Sequence, residues 1–499
     1  SAPSFFAYTG RIADSIGVGK LNLTTGTWAW NERYLPLGTY TLGRGLDIKF
    51  HSGNLYTCGI VYNSTVFNDA FIMKLNGAGG MIYFNTKNGS SGSYDQGAKL
   101  VVNSSGDAFV YGTTYSPGYR FWLIKYNSVG GEAGVTYYDP PVGEVISHPV
   151  DMVINNTFNK IITIGQTFNG GLGNGVLAVF DPSSMAISYS TVVDYGSNEN
   201  FAKMVIDNTG NFYLGGMYNV GTFVVSKYDA SNNFVFDAYY STSVSNPVGL
   251  HVDNTGNTYI AGNIYPGGFS AYDVVIAKFS STGSFLWDGY YDAQVNGYDN
   301  PAQAHVDASG NITIVGNITN SATQFDAFVR KFDAAGNIMW TNSIDYGSVS
   351  NTLVGSSKDN SENIILATSN PSGVTDITKI DPSGNVLWNA LVPVIGGAGF
   401  TTDASGDFYI GESYAPGQST FNIGKYTFLG VPVWSSTPTG SSYDMVLNRS
   451  KTDASGNLYA FGIRVLGGSN WLHVEKYNSA GVWQWGTTIM GHDSTQFVE

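Results

Sequence analysis

Two histidines, His251 and His305, hold the same place in consecutive repeats, each in a His-Val-Asp tripeptide. Matched imidazoles can meet at a common edge and begin a metal site. Such a site needs further ligands and a supporting second shell, and no zinc motif supplies them. The pair is therefore expected to be two polar strand-end side chains. Turns of the type Asp-x-x-Gly-Asn recur as Asp207–Asn211, Asp253–Asn257, Asp307–Asn311 and Asp453–Asn457, with Asn103–Asp107 and Asp403–Asp407 as variants. Calcium binding by a loop needs several carboxylates and a bidentate Glu, whereas each turn offers one or two side-chain oxygens. Turn chemistry explains them better, because an Asp carboxylate accepts backbone N–H bonds from residues just ahead of it. Weak cation binding in some turns is the alternative.

Glycoside chemistry needs two carboxylates about 5–10 Å apart across a cleft. Glu412 is the one acid that replaces a repeated Gly, and a single departure of this kind reads as drift. There is no Ser-His-Asp arrangement and no P-loop. Cys58, the only cysteine, sits in the apolar run Leu55–Ile60 and is expected to pack rather than react. The Tyr137-Tyr138, Tyr239-Tyr240 and Tyr290-Tyr291 pairs are read first as packing, then as glycan platforms or subunit contacts. No catalytic set, metal site or cofactor site is expected.

The elements behind these residues repeat. After each Asp turn comes a short apolar strand ending at Gly59, Gly112, Gly165, Gly216, Gly262, Gly316 or Gly462, with Thr368 and Glu412 in the matching place and Gly10 in a further copy. Lys20, Lys74, Lys125, Lys227, Lys278, Lys331, Lys379, Lys425 and Lys476 run in step, and Val179 stands where one is missing. Nine residues after this position, or ten in the first unit, comes an aromatic: Trp30, Tyr83, Phe236, Trp287, Trp340, Trp388, Trp434 or Trp485. These aromatics are expected to fill the layers between repeats. Each of ten units, about 50 residues long, reads as four short strands rich in Val, Ile, Tyr and Phe, as in Ala302–Asp307, Ile312–Gly316, Ala327–Phe332 and Ile338–Ile344. Helix content should be very low.

Four-stranded units repeated about an axis describe an all-β fold, the β-propeller. The chain opens at a Gly-ending strand, Ser4–Gly10, and closes on Gln496–Glu499, which resembles the strand missing before it. Pairing the last strand into the first unit would close the ring. The expectation is one ten-bladed propeller over residues 1–499; the alternative is two five-bladed rings with a split near 250.

Composition narrows the function. Charged residues make up 12% of the chain, aromatics 14%, and the net charge is −14. An acidic chain without a Lys/Arg cluster is a poor partner for nucleic acid or anionic membrane. No apolar run reaches the length of about 18 residues that a membrane helix needs, so no membrane insertion is expected. The start Ser-Ala-Pro-Ser fits a mature chain after removal of a signal peptide. Sequons at Asn22, Asn63, Asn88, Asn103, Asn155, Asn311, Asn317 and Asn448 are candidate N-glycosylation sites and agree with export.

Lys331–Trp340, a Lys-Phe-Asp-x-x-Gly-Asn-x-x-Trp run, with Asp453–Tyr459, resembles the SBBP-type β-propeller repeat across nearly the whole chain. That resemblance implies exported bacterial or archaeal proteins without a particular activity, with the strand ending in the turn Asp innermost and the Trp strand outermost. The stretches Asp333–Trp340 and Asp381–Trp388 are also similar to the tryptophan-docking motif of quinoprotein dehydrogenases, where it packs blades. The single cysteine and near-minimal units depart from those enzymes and argue against a quinone. The resulting expectation is an exported, non-enzymatic module at the cell surface or outside the cell, partnered by other protein subunits or surface glycans. It would be structural or interaction-mediating and able to self-assemble into a layer, sheath or filament. A lectin-like propeller is the alternative, and a hydrolase or lyase with its site on one ring face ranks third.

Overall fold

The computed structural model describes residues 5–498, leaving aside 13–14, 23–27, 35–39, 64–67, 90–93, 116–117, 140–142, 156–157, 171, 195–198, 220, 265–271, 293–298, 308, 322–323, 345–349, 360, 370–374, 393–397, 404–405, 412–422, 430, 437–443, 453–454, 467–468 and 490–491. Among the described residues there are strands and turns and no helix, hence none able to cross a membrane. The strands form eight four-stranded antiparallel sheets and one of seven strands. In the latter, the 19-residue strand Phe234–Val252 ends one repeat with its first half and begins the next with its second half. The predicted four-strand unit is thus observed. The predicted pairing of the chain ends is observed too: His492–Val498 lies antiparallel to Phe5–Ile12, with Ala7 opposite Val498 and Gly10 opposite Thr495.

The chain divides into two compact units. One comprises Pro3–Asn219, Ser226–Phe236 and Gly491–Glu499; the other comprises Ser1–Ala2, Val220–Val225 and Asp237–Met490. Within each unit the cores lie between consecutive sheets. In the first, Phe109 and Tyr111 pack with Ile161, Val176 and Phe180 of the following sheet. Their strand neighbours Ala108 and Val110 face the other way, onto Tyr56, Cys58 and Ile72 of the preceding sheet. In the second, Ile312, Ile314 and Phe328 join Tyr259, Ile276 and Trp287. Val315, Ala327 and Val329 turn instead to Ile364, Leu366 and Ile380. Successive residues of a strand point to opposite faces, so a sheet covered on both sides needs continuous apolar runs. The short runs of Val, Ile and Phe in the middle strands meet that requirement.

The repeated Gly has a local cause. Gly316 pairs with Pro301, immediately before a register shift to Gln303, and a Cβ there would overlap the Asn300 carbonyl. A bulge in the first strand thus presses its backbone against the second strand, which favours Gly there. Thr368 occupies the same place opposite a bulge between Leu353 and Gly355.

Candidate functional site

The repeated Lys and the repeated aromatic are cross-strand partners. Lys278 lies opposite Trp287, Lys331 opposite Trp340, Lys379 opposite Trp388, Lys425 opposite Trp434 and Lys476 opposite Trp485. In the first of these pairs both side chains reach the turn that joins the last two strands of the next sheet, Gln324–Phe332 and Ile338–Ile344. Lys278 Nζ and Trp287 Nε1 donate to the same carbonyl, Ala334 O, at 2.9 and 3.0 Å. Trp340, Trp388 and Trp434 donate likewise to Pro382, Phe428 and Ser479. Lys74 and Lys125 donate to Ser128 and Pro182. The ammoniums also sit over ring faces, as Lys278 over Tyr259 at 4.8 Å. Gly336, at φ 88°, lies directly under the Trp287 ring, where a Cβ would overlap the indole. Both the backbone conformation and the stacked ring therefore require glycine.

The described Asp turns bond their carboxylates to their own chain. Asp253 Oδ1 accepts from Thr255 N and Asn257 N, and Oδ2 accepts from Asn257 Nδ2 and Tyr259 OH. Burial pushes the Asp253 carboxyl up, and these bonds outweigh it and hold it below the usual range. Ion pairs from the repeated Lys complete several turns: Lys331 to Asp307 at 3.2 Å and Lys379 to Asp359 at 2.9 Å.

The unit that lacks the Lys restores its bond from elsewhere. Val179 pairs with Ile162, and Lys160 lies two residues earlier on the same face of that strand. Lys160 Nζ donates to Ala230 O at 2.8 Å, and Ala230 follows the first Asp of its turn as Ala334 does. Lys160→Met should lower stability by about 1.5–3 kcal/mol, the contribution of a charged hydrogen bond. Adding Val179→Lys should recover most of the loss, read as the urea midpoint of the double variant.

The other residues singled out above fall as follows. Tyr83 lies over Gly130 and Phe236 under Lys227; the Trp30 side chain is outside the described residues. Of each tyrosine pair, Tyr138, Tyr240 and Tyr291 are buried, while Tyr239 and Tyr290 are exposed and Tyr137 is half-buried. Cys58 is fully buried, its thiol pushed well up by burial. His251 is exposed and tilts against Tyr259, while His305 contacts Ser356 Oγ at 3.2 Å; no metal-type cluster among the described residues contains either. Glu412 lies outside the described residues. Among the sequons, Asn88 is exposed, Asn155 is buried, and Asn103, Asn311 and Asn317 are half-buried and hydrogen-bonded. The side chains of Asn22, Asn63 and Asn448 are outside the described residues.

A second repeated feature faces solvent. The two residues before the aromatic are exposed and apolar: Met81-Ile82, Phe234-Val235, Phe285-Leu286, Ile338-Met339 and Val386-Leu387, each 42–56% exposed. In the Lys-bearing pairs the register shifts there, as between Lys278 and Phe279 opposite Trp287 and Phe285. Leu286 is the bulged residue, which lets two neighbours in one strand both face water.

Serial four-stranded antiparallel sheets, cores shared by consecutive sheets, and a last strand that completes the first sheet together define a β-propeller. No family model matches the chain, and no curated protein matches it. Among solved structures it is similar to one described as the eukaryotic initiation factor, with 8% identity and a TM-score of 0.50, over 99% of this chain and 98% of that one. The Dos1 propeller is 10% identical with a TM-score of 0.41, over 90% of this chain and 93% of that one. Apo AztD from Citrobacter koseri is 10% identical with a TM-score of 0.36, over 78% of this chain and 97% of that one. Such low identities speak to fold alone.

Proposed function

We propose that this β-propeller is a non-enzymatic interaction module, exported and built into a surface assembly by contacts between copies and with other protein subunits. The observation that carries the reading is the exposed apolar pair at the same place in repeat after repeat. Exposed apolar side chains scattered singly need no explanation, but the same pair regenerated at one structural position supports a contact surface. The repeated Lys and Asp, which could otherwise serve chemistry, are engaged in closing turns and in joining one sheet to the next. The resemblance to the SBBP-type repeat, which occurs in exported proteins, supports export, and among the described sequon side chains Asn88 is exposed and open to a glycan.

Sedimentation velocity across a concentration series tests the reading. The native chain should associate as concentration rises. Leu286→Lys with Met339→Lys and Leu387→Lys should weaken association at least about tenfold while leaving the unfolding midpoint nearly unchanged, since exposed substitutions cost little. A native chain that stays monomeric throughout would remove the reading. A lectin-like role is the second reading, supported by exposed Tyr115 and Tyr119, edge to face at 5.0 Å beside a strand connection. A glycan array would separate the two.

A further inference from the structure

Three carboxylates converge in the unit Asp237–Met490. Asp273 opens the strand Asp273–Phe279, Asp292 follows the strand Phe285–Tyr291, and Asp299 precedes the strand Asn300–Val306 of the next sheet. One oxygen from each lies within 4.8 Å of the others. Asp299 is held in place: its N–H donates to Tyr272 O at 2.6 Å, and its Oδ1 accepts from Thr319 N at 3.1 Å. Asp292 is exposed and opens the cluster to solvent. Asp273 is only 8% exposed, and no hydrogen-bond donor among the described residues reaches its carboxylate. Burial, then Asp292, then Asp299 push that carboxyl up to about 7. The charge of Arg330 acts on Asp299, but its hydrogen bonds go to other groups: Nε donates to Thr341 Oγ1 and Nη1 to Tyr290 O, and its plane covers the Tyr291 ring.

The repeats supply internal comparisons. Arg120 stands five residues before Lys125 as Asp273 does before Lys278, and Asp139 follows Tyr137-Tyr138 as Asp292 follows Tyr290-Tyr291. There the two positions form an Arg120–Asp139 ion pair. One sheet further on from the acid cluster, Asn351 takes the place of Asp299, donating its N–H to Phe325 O as Asp299 does to Tyr272 O. Its amide Nδ2 reaches Asp326 Oδ1 at 3.4 Å. Where one sheet places a guanidinium at these positions and another an amide donor, the positions here carry Asp273, Asp292 and Asp299. Three converging carboxylates repel one another, and a cation between them relieves that repulsion.

We propose that Asp273, Asp292 and Asp299 bind a calcium ion, which fastens the end of one sheet to the start of the next. Calcium takes oxygen ligands at about 2.3–2.6 Å in flexible geometry, so oxygens on opposite sides stand up to about 5 Å apart, which suits this spacing. Magnesium demands a tighter octahedron and keeps its waters, so it should bind more weakly. The proposal is independent of the assembly role.

The test uses the whole chain, stripped with chelator and then given calcium chloride or magnesium chloride. Calcium should raise the unfolding temperature at about pH 8, and much less at about pH 5, where protons compete for the carboxylates. Asp292→Asn, at an exposed position that leaves the core untouched, should weaken calcium affinity at least about tenfold by calorimetry. Asp273→Asn should abolish the response. Terbium, used as a calcium substitute, should luminesce on tyrosine excitation in the native chain and not in Asp273→Asn. No calcium response in the native chain, an equal response to magnesium, or an unchanged response in Asp292→Asn would overturn the assignment.

Discussion

Trp287→Ala should lower the stability of its unit by about 3–5 kcal/mol, the range for removing a large buried aromatic. The indole is 9% exposed, stacks on Phe332 at 5.9 Å between ring centres, and meets Tyr259 edge-on at 6.3 Å. Its truncation opens a void between two sheets and deletes the bond to Ala334 O. Lys278 still donates to that carbonyl, so the loss is mainly one of packing. Trp287→Phe should therefore cost far less, about 1 kcal/mol beyond the smaller ring, for the missing N–H. Gly336→Ala attacks the same contact from the other side, through its positive φ and the overlap with the indole. Combined with Trp287→Ala it should cost less than the sum of the two, because the ring that the new methyl meets is gone. Urea unfolding of the three variants and the double variant measures this coupling.

Lys425→Met should rank with it, at about 3–5 kcal/mol, as expected when one partner of a buried ion pair is removed. Lys425 Nζ lies 3.1 Å from Asp403 Oδ2 and 3.0 Å from Asp407 Oδ2, with all three side chains less than one-fifth exposed. It also covers the face of Tyr409, whose hydroxyl donates to Gly456 O in the next sheet. Burial works against the charged ammonium, but the bonds with Tyr409, Asp407 and Asp403 outweigh it and hold its pKa above the usual value. A lysine raised in the folded state contributes fully below its ordinary pKa, and the contribution fades as pH rises through the raised one. A comparison at neutral pH thus captures the whole effect. Adding Asp403→Asn should return part of the loss, because fewer charges are then left without their counter-ion.

Much of this arrangement was legible in the sequence because most copies of the repeat use the same residue for the same purpose. The Asp turns, the strand-ending Gly, and the spacing of Lys to Trp each reflect a local requirement: a carboxylate for turn N–H groups, a backbone crossing at a bulge, a cross-strand pair. The pairing of the last strand with the first sheet followed from one strand being missing at one end and present at the other. What repetition cannot reveal is an exception mended in space. Lys160 replaces the ammonium missing at Val179 from a neighbouring strand, a relation set by hairpin register. The cluster of Asp273, Asp292 and Asp299 escaped for a similar reason, since its acids come from three segments. The signal was present in the charges at matched positions: Arg120 with Asp139 in one repeat, Asp273 with Asp292 in another. The exposed apolar pairs escaped because an apolar residue beside a packing Trp reads as core until the bulge is seen to turn it outward.

Electron cryo-microscopy of the native chain at high concentration tests the central claim most directly. The account predicts repeating assemblies in which the exposed pairs around Leu286, Met339 and Leu387 lie in contacts between copies, and isolated particles once these three are changed to lysine. Isolated particles from the native chain, or assemblies that leave those pairs facing solvent, would contradict it.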